Sequence, residues 1–311
     1  MPPPPPFARA GSVTNDLGTS TVSAASYGLG VREVEPLIQA LKHNRCVTRL
    51  DLSQNRLTCS VLFSIGELLG RSGTLSSLDL SGNALGRTPA SPKALGALCP
   101  PPCRTLRTLC VSGCKLGDHD AAALFRALAA MAECRLERLD VSRNSISDKG
   151  AAALAKALGE KGVRCEVLVL AGNAIRDRGV SAVAGAVARN PGVSLEKLDV
   201  AETGMREGGA EALGALLRDA PALQRLVVSG NALSDAGLAR LGEGVGVAPS
   251  LLALECDSVP MTDGAGRALL AQAKANKQLA RLTLRGCGLG AEVEDAWRAL
   301  TLRRGGNRPG D

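Results

Sequence analysis

Leu136-Glu137-Arg138-Leu139-Asp140-Val141-Ser142-Arg143-Asn144-Ser145-Ile146 is followed by Ser147-Asp148-Lys149-Gly150 and by a small-residue run from Ala151 to Leu158. In the first half Leu139 and Val141 alternate with polar residues at period two, the pattern of a short strand with one buried face. In the second half Leu154 and Leu158 lie four apart on an alanine background, which predicts a helix. The strand half returns as L-x-x-L-x-L-x-x-(N/C/T)-x-L, with starts at Val47, Leu75, Leu106, Leu136, Cys165, Leu195, Leu223, Leu251 and Leu279. The intervals are 28, 31, 30, 29, 30, 28, 28 and 28 residues. So regular a period predicts one strand-and-helix unit stacked on itself, an α/β solenoid. A crossover helix in every unit makes the strands parallel, and a helix is wider than a strand. The expected architecture is therefore a horseshoe with a parallel sheet on its concave face and helices on its convex face.

The ends of such a stack need sealing. Residues 19–43 read as a degenerate capping repeat, with Val22, Ala24, Tyr27 and Leu29 at the repeat positions and Val31, Val34, Leu37, Ile38 and Leu41 as a helical stripe. At the other end Val293, Trp297 and Leu300 share a helix face, so Trp297 is expected to be a lid on the last repeat. The domain reading is a disordered Pro-rich tail over 1–18, one solenoid over 19–302 and a basic disordered tail over 303–311. One unit is irregular: Arg87–Pro92 and Cys99-Pro100-Pro101-Pro102-Cys103 replace the usual junctions and confine its helix to about Lys93–Leu98.

Hydrophobic residues make up 45% of the chain, yet only Phe7, Tyr27, Phe63, Phe125 and Trp297 are aromatic. The core is therefore built of Leu, Val and Ala, and few large anchors remain for a partner. No apolar run approaches the roughly 20 residues that span a bilayer. Ten cysteines without a secretory leader, several at repeat positions, fit a reducing compartment, and the localisation reading is cytoplasmic. The net charge of +7 favours an acidic partner over a basic one.

Two positions of the repeat carry polar side chains for structural reasons. The ninth reads Asn55, Asn83, Cys114, Asn144, Asn173, Thr203, Asn231, Val259 and Cys287. A small polar group there satisfies backbone groups that the turn out of the strand would bury unpaired. An acidic residue recurs near each helix start, at Asp118, Asp148, Asp177, Glu207, Asp235 and Asp263, and is expected to cap the helix or occupy its first turn.

Chemistry is hard to find. The two histidines, His43 and His119, fall in different repeats, and no zinc-protease, phosphate-loop or complete dinucleotide motif is present. Gly242-Glu243-Gly244-Val245-Gly246 reads as turn glycines at a helix end. Cys110 and Cys114, four residues apart along a strand, stand roughly 13 Å apart and cannot share one ion. Cys99 and Cys103 leave room for a disulfide or a two-cysteine site. The reading is of a chain with no catalytic residues, no cofactor, no metal and no small-molecule substrate.

Units of 28–29 residues with Asn or Cys at the turn, then D-x-G and an Ala/Leu helix, resemble the ribonuclease-inhibitor-like class of leucine-rich repeats. Asn144-Ser145-Ile146-Ser147-Asp148-Lys149-Gly150 and Asn231-Ala232-Leu233-Ser234-Asp235-Ala236-Gly237 carry the resemblance. It spans about residues 19–300. The class includes ribonuclease inhibitor, the ligand-sensing regions of NOD-like receptors and the GTPase-activating protein of Ran, so the resemblance implies a fold and several functions. Leu78-Asp79-Leu80-Ser81-Gly82-Asn83-Ala84-Leu85-Gly86 is similar to a repeat of the Ran activator. The next unit departs from that family, with Cys114 where an Asn-rich turn is implied.

A partner is expected on the concave face, reached by the third, fifth and seventh positions of each strand. The third positions read Arg49, Ser77, Thr108, Arg138, Val167, Lys197, Arg225, Ala253 and Arg281, and the fifth Asp51, Asp79, Cys110, Asp140, Val169, Asp199, Val227, Glu255 and Thr283. A basic column thus runs beside an acidic one, a ladder that mostly neutralises itself. Val167, Val169 and Val227 break the pattern, and with Lys197 and Arg225 they suggest an exposed apolar centre with a basic rim. Asp257, Arg281 and Arg285 mark a second candidate patch. The reading is a protein-binding scaffold or adaptor for an unidentified protein partner, with nucleic acid disfavoured. The alternative is a regulator of a small Ran-like GTPase acting through loop residues near Asn83 and Lys115.

Overall fold

A computed structural model describes residues 14–16, 19–100, 103–131, 135–160, 163–190 and 194–304. The chain divides into two compact units, Met1–Ile146 with Glu160–Cys165, and Ser147–Gly159 with Glu166–Asp311. Each is a stack of the same strand-and-helix repeat.

In the first unit β1 (Thr14–Asp16), β2 (Thr19–Ser23), β3 (Val47–Asp51), β4 (Ser77–Asp79), β5 (Thr108–Cys110) and β6 (Arg135–Asp140) alternate, from β2 onward, with α1 (Val31–Leu41), α2 (Val61–Arg71), α3 (Ser91–Leu98) and α4 (Asp118–Ala130). Strands β2 to β6 pair parallel in chain order, and the third-position residues Arg49, Ser77, Thr108 and Arg138 stand side by side. The second unit continues with α5 (Asp148–Glu160), β7 (Arg164–Val169), α6 (Arg176–Arg189), β8 (Lys197–Asp199), α7 (Glu207–Asp219), β9 (Arg225–Val227), α8 (Asp235–Val247), β10 (Ala253–Glu255), α9 (Asp263–Ala275), β11 (Arg281–Thr283) and α10 (Ala291–Arg304). Strands β7 to β11 again pair parallel and in chain order. The α/β solenoid architecture expected from the period is thus the architecture found.

The core of each unit lies between the strands and the helices. Leu50, Leu78, Leu109 and Leu139 line it from the strands of the first unit and Leu168, Leu198, Leu226, Leu254 and Leu282 from those of the second, all buried. Helix leucines meet them, such as Leu213, Leu217, Leu238 and Leu241. The glycines around 244, expected to form a turn, lie instead within α8. A β-carbon on Gly244 would stand 2.3 Å from the Gly214 carbonyl oxygen, so these residues let α7 and α8 touch backbone to backbone.

Helix α1 stands near the first described strands and α10 follows the last. Val34, Ile38 and Leu41 are buried under α1, and Tyr27 is half exposed. At the far end the Trp297 indole N–H donates to the Leu282 carbonyl at 2.8 Å, with Val293 buried beside it. The segment read as a tail over 1–18 contains β1, which pairs antiparallel with β2. A strand there covers the open edge of the parallel sheet, where unpaired backbone groups would otherwise face solvent. Residues 1–13 and 17–18 of that segment lie outside the described residues. Likewise α10 runs through Arg303 and Arg304, which were read as tail, and residues 305–311 lie outside the description.

Asparagine at the ninth position ties each turn to the repeat before it. Asn83 accepts the Leu57 N–H at 3.0 Å and donates to the Leu52 and Leu80 carbonyls at 3.0 and 2.8 Å. Asn55, Asn144 and Asn231 repeat the arrangement. Cys114 and Cys287 act as short substitutes, their thiols donating to the Leu80 and Cys256 carbonyls at 3.1 Å. These cysteines are structural, as their repeat position implied.

Candidate functional site

The sheet face turned away from the helices carries the third and fifth positions, and the register fixes who neighbours whom. In the second unit one row runs Val167, Lys197, Arg225, Ala253, Arg281, and the next Val169, Asp199, Val227, Glu255, Thr283. Asp199 therefore stands between Val169 and Val227, and the valines form no continuous patch. Both are only 6% exposed, and Val167 is half-buried. The expected greasy centre is corrected in this respect: side chains on neighbouring strands, about 4.8 Å away, cover a valine that the single strand leaves open.

The charged ladder is paired in part. Lys197 lies 3.8 Å from Asp199, and Arg225 is bonded to Glu255 across one strand step. In the first unit Arg138 meets Asp140 at 2.7 Å. Partly exposed pairs of this kind contribute under about 1 kcal/mol each.

The acidic column has a second task that the sequence did not announce. Asp51, Asp79, Asp140 and Asp199 each accept the backbone N–H two residues ahead, from Ser53, Ser81, Ser142 and Ala201, at 2.9, 2.8, 3.1 and 3.2 Å. Each carboxylate closes the turn out of its own strand. The basic row has no such backbone task, although Lys197 and Arg225 are engaged by Asp199 and Glu255.

At the C-terminal end of this face Arg285 is exposed, and Arg281 and Asp257 are half-exposed. Asp257 accepts the backbone N–H of Arg285 at 2.8 Å. Neither the Arg281 nor the Arg285 guanidinium enters an ion pair among the described residues. Between these arginines along the strand, Thr283 is 6% exposed and its Oγ1 has no hydrogen-bond partner.

The acids at the helix starts reach farther than expected. They sit in the first turn of their own helices, and several cap the next helix along. Asp177, in the first turn of α6, accepts the backbone N–H of Arg206 and Gly209 at 2.7 and 2.9 Å, at the start of α7. Asp235 and Asp263 accept from Thr262 and Gly290 at 3.2 and 2.8 Å in the same way. A carboxylate at a helix N-terminus stabilises it by charge as well as by hydrogen bonding, so these three repeats each help to order their successor.

The other candidate chemistry is accounted for. Asn83, on which an amide-assisted GTPase reaction would depend, is 1% exposed and both ends of its amide are held by backbone. Cys99 and Cys103 are both buried, and the disulfide held open for them is not formed. Among the described residues no three His, Cys, Asp or Glu side chains are grouped to hold a metal ion. Cys110, in the fifth-position row between Asp79 and Asp140, has its thiol pushed up to about 11, chiefly by burial and then by those two carboxylates. Burial raises the Cys114 thiol to about 12. A thiol with a raised pKa stays protonated below it and is a poor nucleophile. Under iodoacetamide at pH 8, the exposed Cys46 is expected to alkylate at least tenfold faster than Cys110, with Cys110 labelling rising only above about pH 10. Peptide mapping of a labelling time course checks this, and equal rates would refute it.

A family model described as Leucine Rich repeat matches residues 43–58, 103–125, 134–155 and 166–184. The chain is 28% identical to Tonsoku-like protein of Mus musculus over 306 residues, 94% of this chain and 22% of that protein. It is 28% identical over 301 residues to NACHT, LRR and PYD domains-containing protein 5 of Homo sapiens, 95% of this chain and 19% of the relative. Ribonuclease inhibitor of Mus musculus is 31% identical over 140 residues, covering 43% of this chain and 29% of the inhibitor. The chain spans about a fifth to three-tenths of the length of these relatives. Among the described residues no helix is long and apolar enough to cross a membrane.

Proposed function

We propose, from the premise that the chain belongs to the leucine-rich-repeat proteins of the ribonuclease-inhibitor-like class, that it is a non-catalytic scaffold or adaptor that holds a protein partner on the sheet face of its second unit. Proteins built of these repeats generally mediate protein–protein interaction. The observation that carries the choice of face is the row Val167, Lys197, Arg225, Ala253, Arg281, which holds three cations and no acid, with Arg281 in no ion pair among the described residues. Val167, Lys197, Arg225, Asp257, Arg281 and Arg285 bound the proposed surface, and Val169 and Val227 lie covered beneath it.

Substituting Val169 would confuse folding with binding, because a carboxylate there would face Asp199 in register. Val167→Glu is the better probe. It lies across from Lys197, which can pair with the new charge, and it places an anion at the β7 end of the proposed surface. Affinity capture from native lysate with wild-type protein should retain a stoichiometric protein that Val167→Glu loses at unchanged melting temperature. Equal capture by both proteins would remove this face from consideration.

A further inference from the structure

Of the 16 prolines in the chain, two follow a hydroxyl residue, at Thr88-Pro89 and Ser91-Pro92, and both lie in the irregular junction that leads into α3. The structure treats the two hydroxyls oppositely. Ser91 is fully buried, and its Oγ donates to the buried Asp120 carboxylate and lies 2.8 Å from the Thr88 carbonyl. Arg87, Thr88, Pro89 and Ala90 are exposed in succession. Among the described residues the Thr88 hydroxyl meets one partner, the Cys59 thiol at 3.4 Å, a weak hydrogen-bonding group. The backbone here stands outside the sheet ladder: the Arg87 N–H reaches Asp120 at 3.0 Å, the Thr88 N–H reaches Ser91 Oγ at 3.2 Å, and the Ser91 N–H closes a turn on the Thr88 carbonyl at 3.1 Å. Ser91 and Asp120 thus anchor the loop from beneath and leave Thr88 and Pro89 facing solvent.

We propose that Thr88 is a phosphorylation site for a proline-directed protein kinase. Such an enzyme takes a short exposed stretch of its substrate, and a proline after the acceptor presents a fixed φ and no N–H, a shape that a pocket can select. In the transfer the Thr88 oxygen bonds to the γ-phosphorus of ATP, the bond from that phosphorus to the β–γ bridging oxygen breaks, ADP leaves, and the hydroxyl proton passes to the kinase's catalytic aspartate. The product carries a charge of about −1.5 to −2. It stands one residue from the Arg87 guanidinium, which is exposed and enters no ion pair among the described residues. Ser91 satisfies the same dipeptide rule but is closed to the enzyme, because freeing its hydroxyl would strip a partner from the buried Asp120 carboxylate.

The test incubates the full chain with a cyclin-dependent protein kinase and magnesium ATP, follows incorporation by intact mass and maps the phosphate by peptide fragmentation, with the melting temperature of every variant recorded. The wild type is expected to take up phosphate on Thr88, with Ser91 carrying under about a tenth as much because the fold must open locally to release it. Thr88→Ala is expected to abolish incorporation, and Thr88→Ser, which keeps an acceptor hydroxyl, to retain it. Pro89→Ala is expected to slow the initial rate about tenfold or more at unchanged melting temperature, since it restores the N–H and frees φ. No incorporation into the wild type would overturn the proposal, as would equal phosphate on Ser91 or an undiminished rate for Pro89→Ala. Phosphate that persists at the same rate in a folded Thr88→Ala chain would place the modification elsewhere and overturn it too.

Discussion

Asn231→Leu is expected to destabilise the second unit by about 4 kcal/mol, among the largest effects a single substitution produces. The side chain is 1% exposed. Its oxygen accepts the backbone N–H groups of Thr203 and Met205 at 3.1 and 3.0 Å, and its amide donates to the Val200 and Val228 carbonyls at 2.8 and 2.9 Å. Leucine leaves these backbone groups buried and unpaired, at about 1–3 kcal/mol for each that no water can reach. Size is not the obstacle, because Val259 fills the corresponding place one repeat later and is fully buried. Urea unfolding with a tyrosine-independent probe such as far-ultraviolet dichroism measures the change. A loss under about 1 kcal/mol would mean that the turn re-forms its bonds without the amide.

The second large effect concerns two glycines of one helix with opposite expected signs. Both Gly242 and Gly244 lie inside α8, where alanine is intrinsically better by about 1 kcal/mol. A β-carbon on Gly242 would make contacts no closer than 3.6 Å, so Gly242→Ala is expected to stabilise by up to about 1 kcal/mol. On Gly244 it would meet the Gly214 carbonyl oxygen at 2.3 Å and Cα at 2.6 Å. These are backbone atoms that cannot turn aside, so α7 and α8 must separate. Gly244→Ala is expected to cost about 3 kcal/mol in spite of the better propensity. Thermal unfolding of the two variants side by side decides the matter, and effects of the same sign would show that helix contact is not what holds these residues as glycine.

Period and chemistry made the ninth-position ladder legible in the sequence. A polar residue every 28 to 31 positions at the exit of a buried strand has one structural use, and Asn83 and Asn231 are found in it. The strand and helix alternation followed from the same spacing. The candidate face was legible only as two columns of letters. That Val169 and Val227 are covered depends on Asp199 standing between them in register, a relation between residues about 30 apart in the chain that a strand-by-strand reading does not weigh. The carboxylates of Asp79 and Asp199 were read as partners for cations because charge is visible in the sequence, whereas the backbone N–H they accept is not. Asp177 was placed on its own helix, since capping is a local rule, and the structure turns it toward Arg206 and Gly209 one repeat later. Nothing in a sequence distinguishes Thr283 from a strand threonine with a satisfied hydroxyl. The hydroxyl had to be located before its lack of a partner could be noticed.

The asparagine ladder also has a mechanical meaning. Each amide grips a carbonyl of the repeat before it, as Asn231 grips Val200, so a pull on the C-terminus is resisted rung by rung. Val259 supplies no such grip. A chain drawn out from that end would first break the Cys287 thiol from the Cys256 carbonyl, meet no ninth-position grip at Val259, and be held again at Asn231.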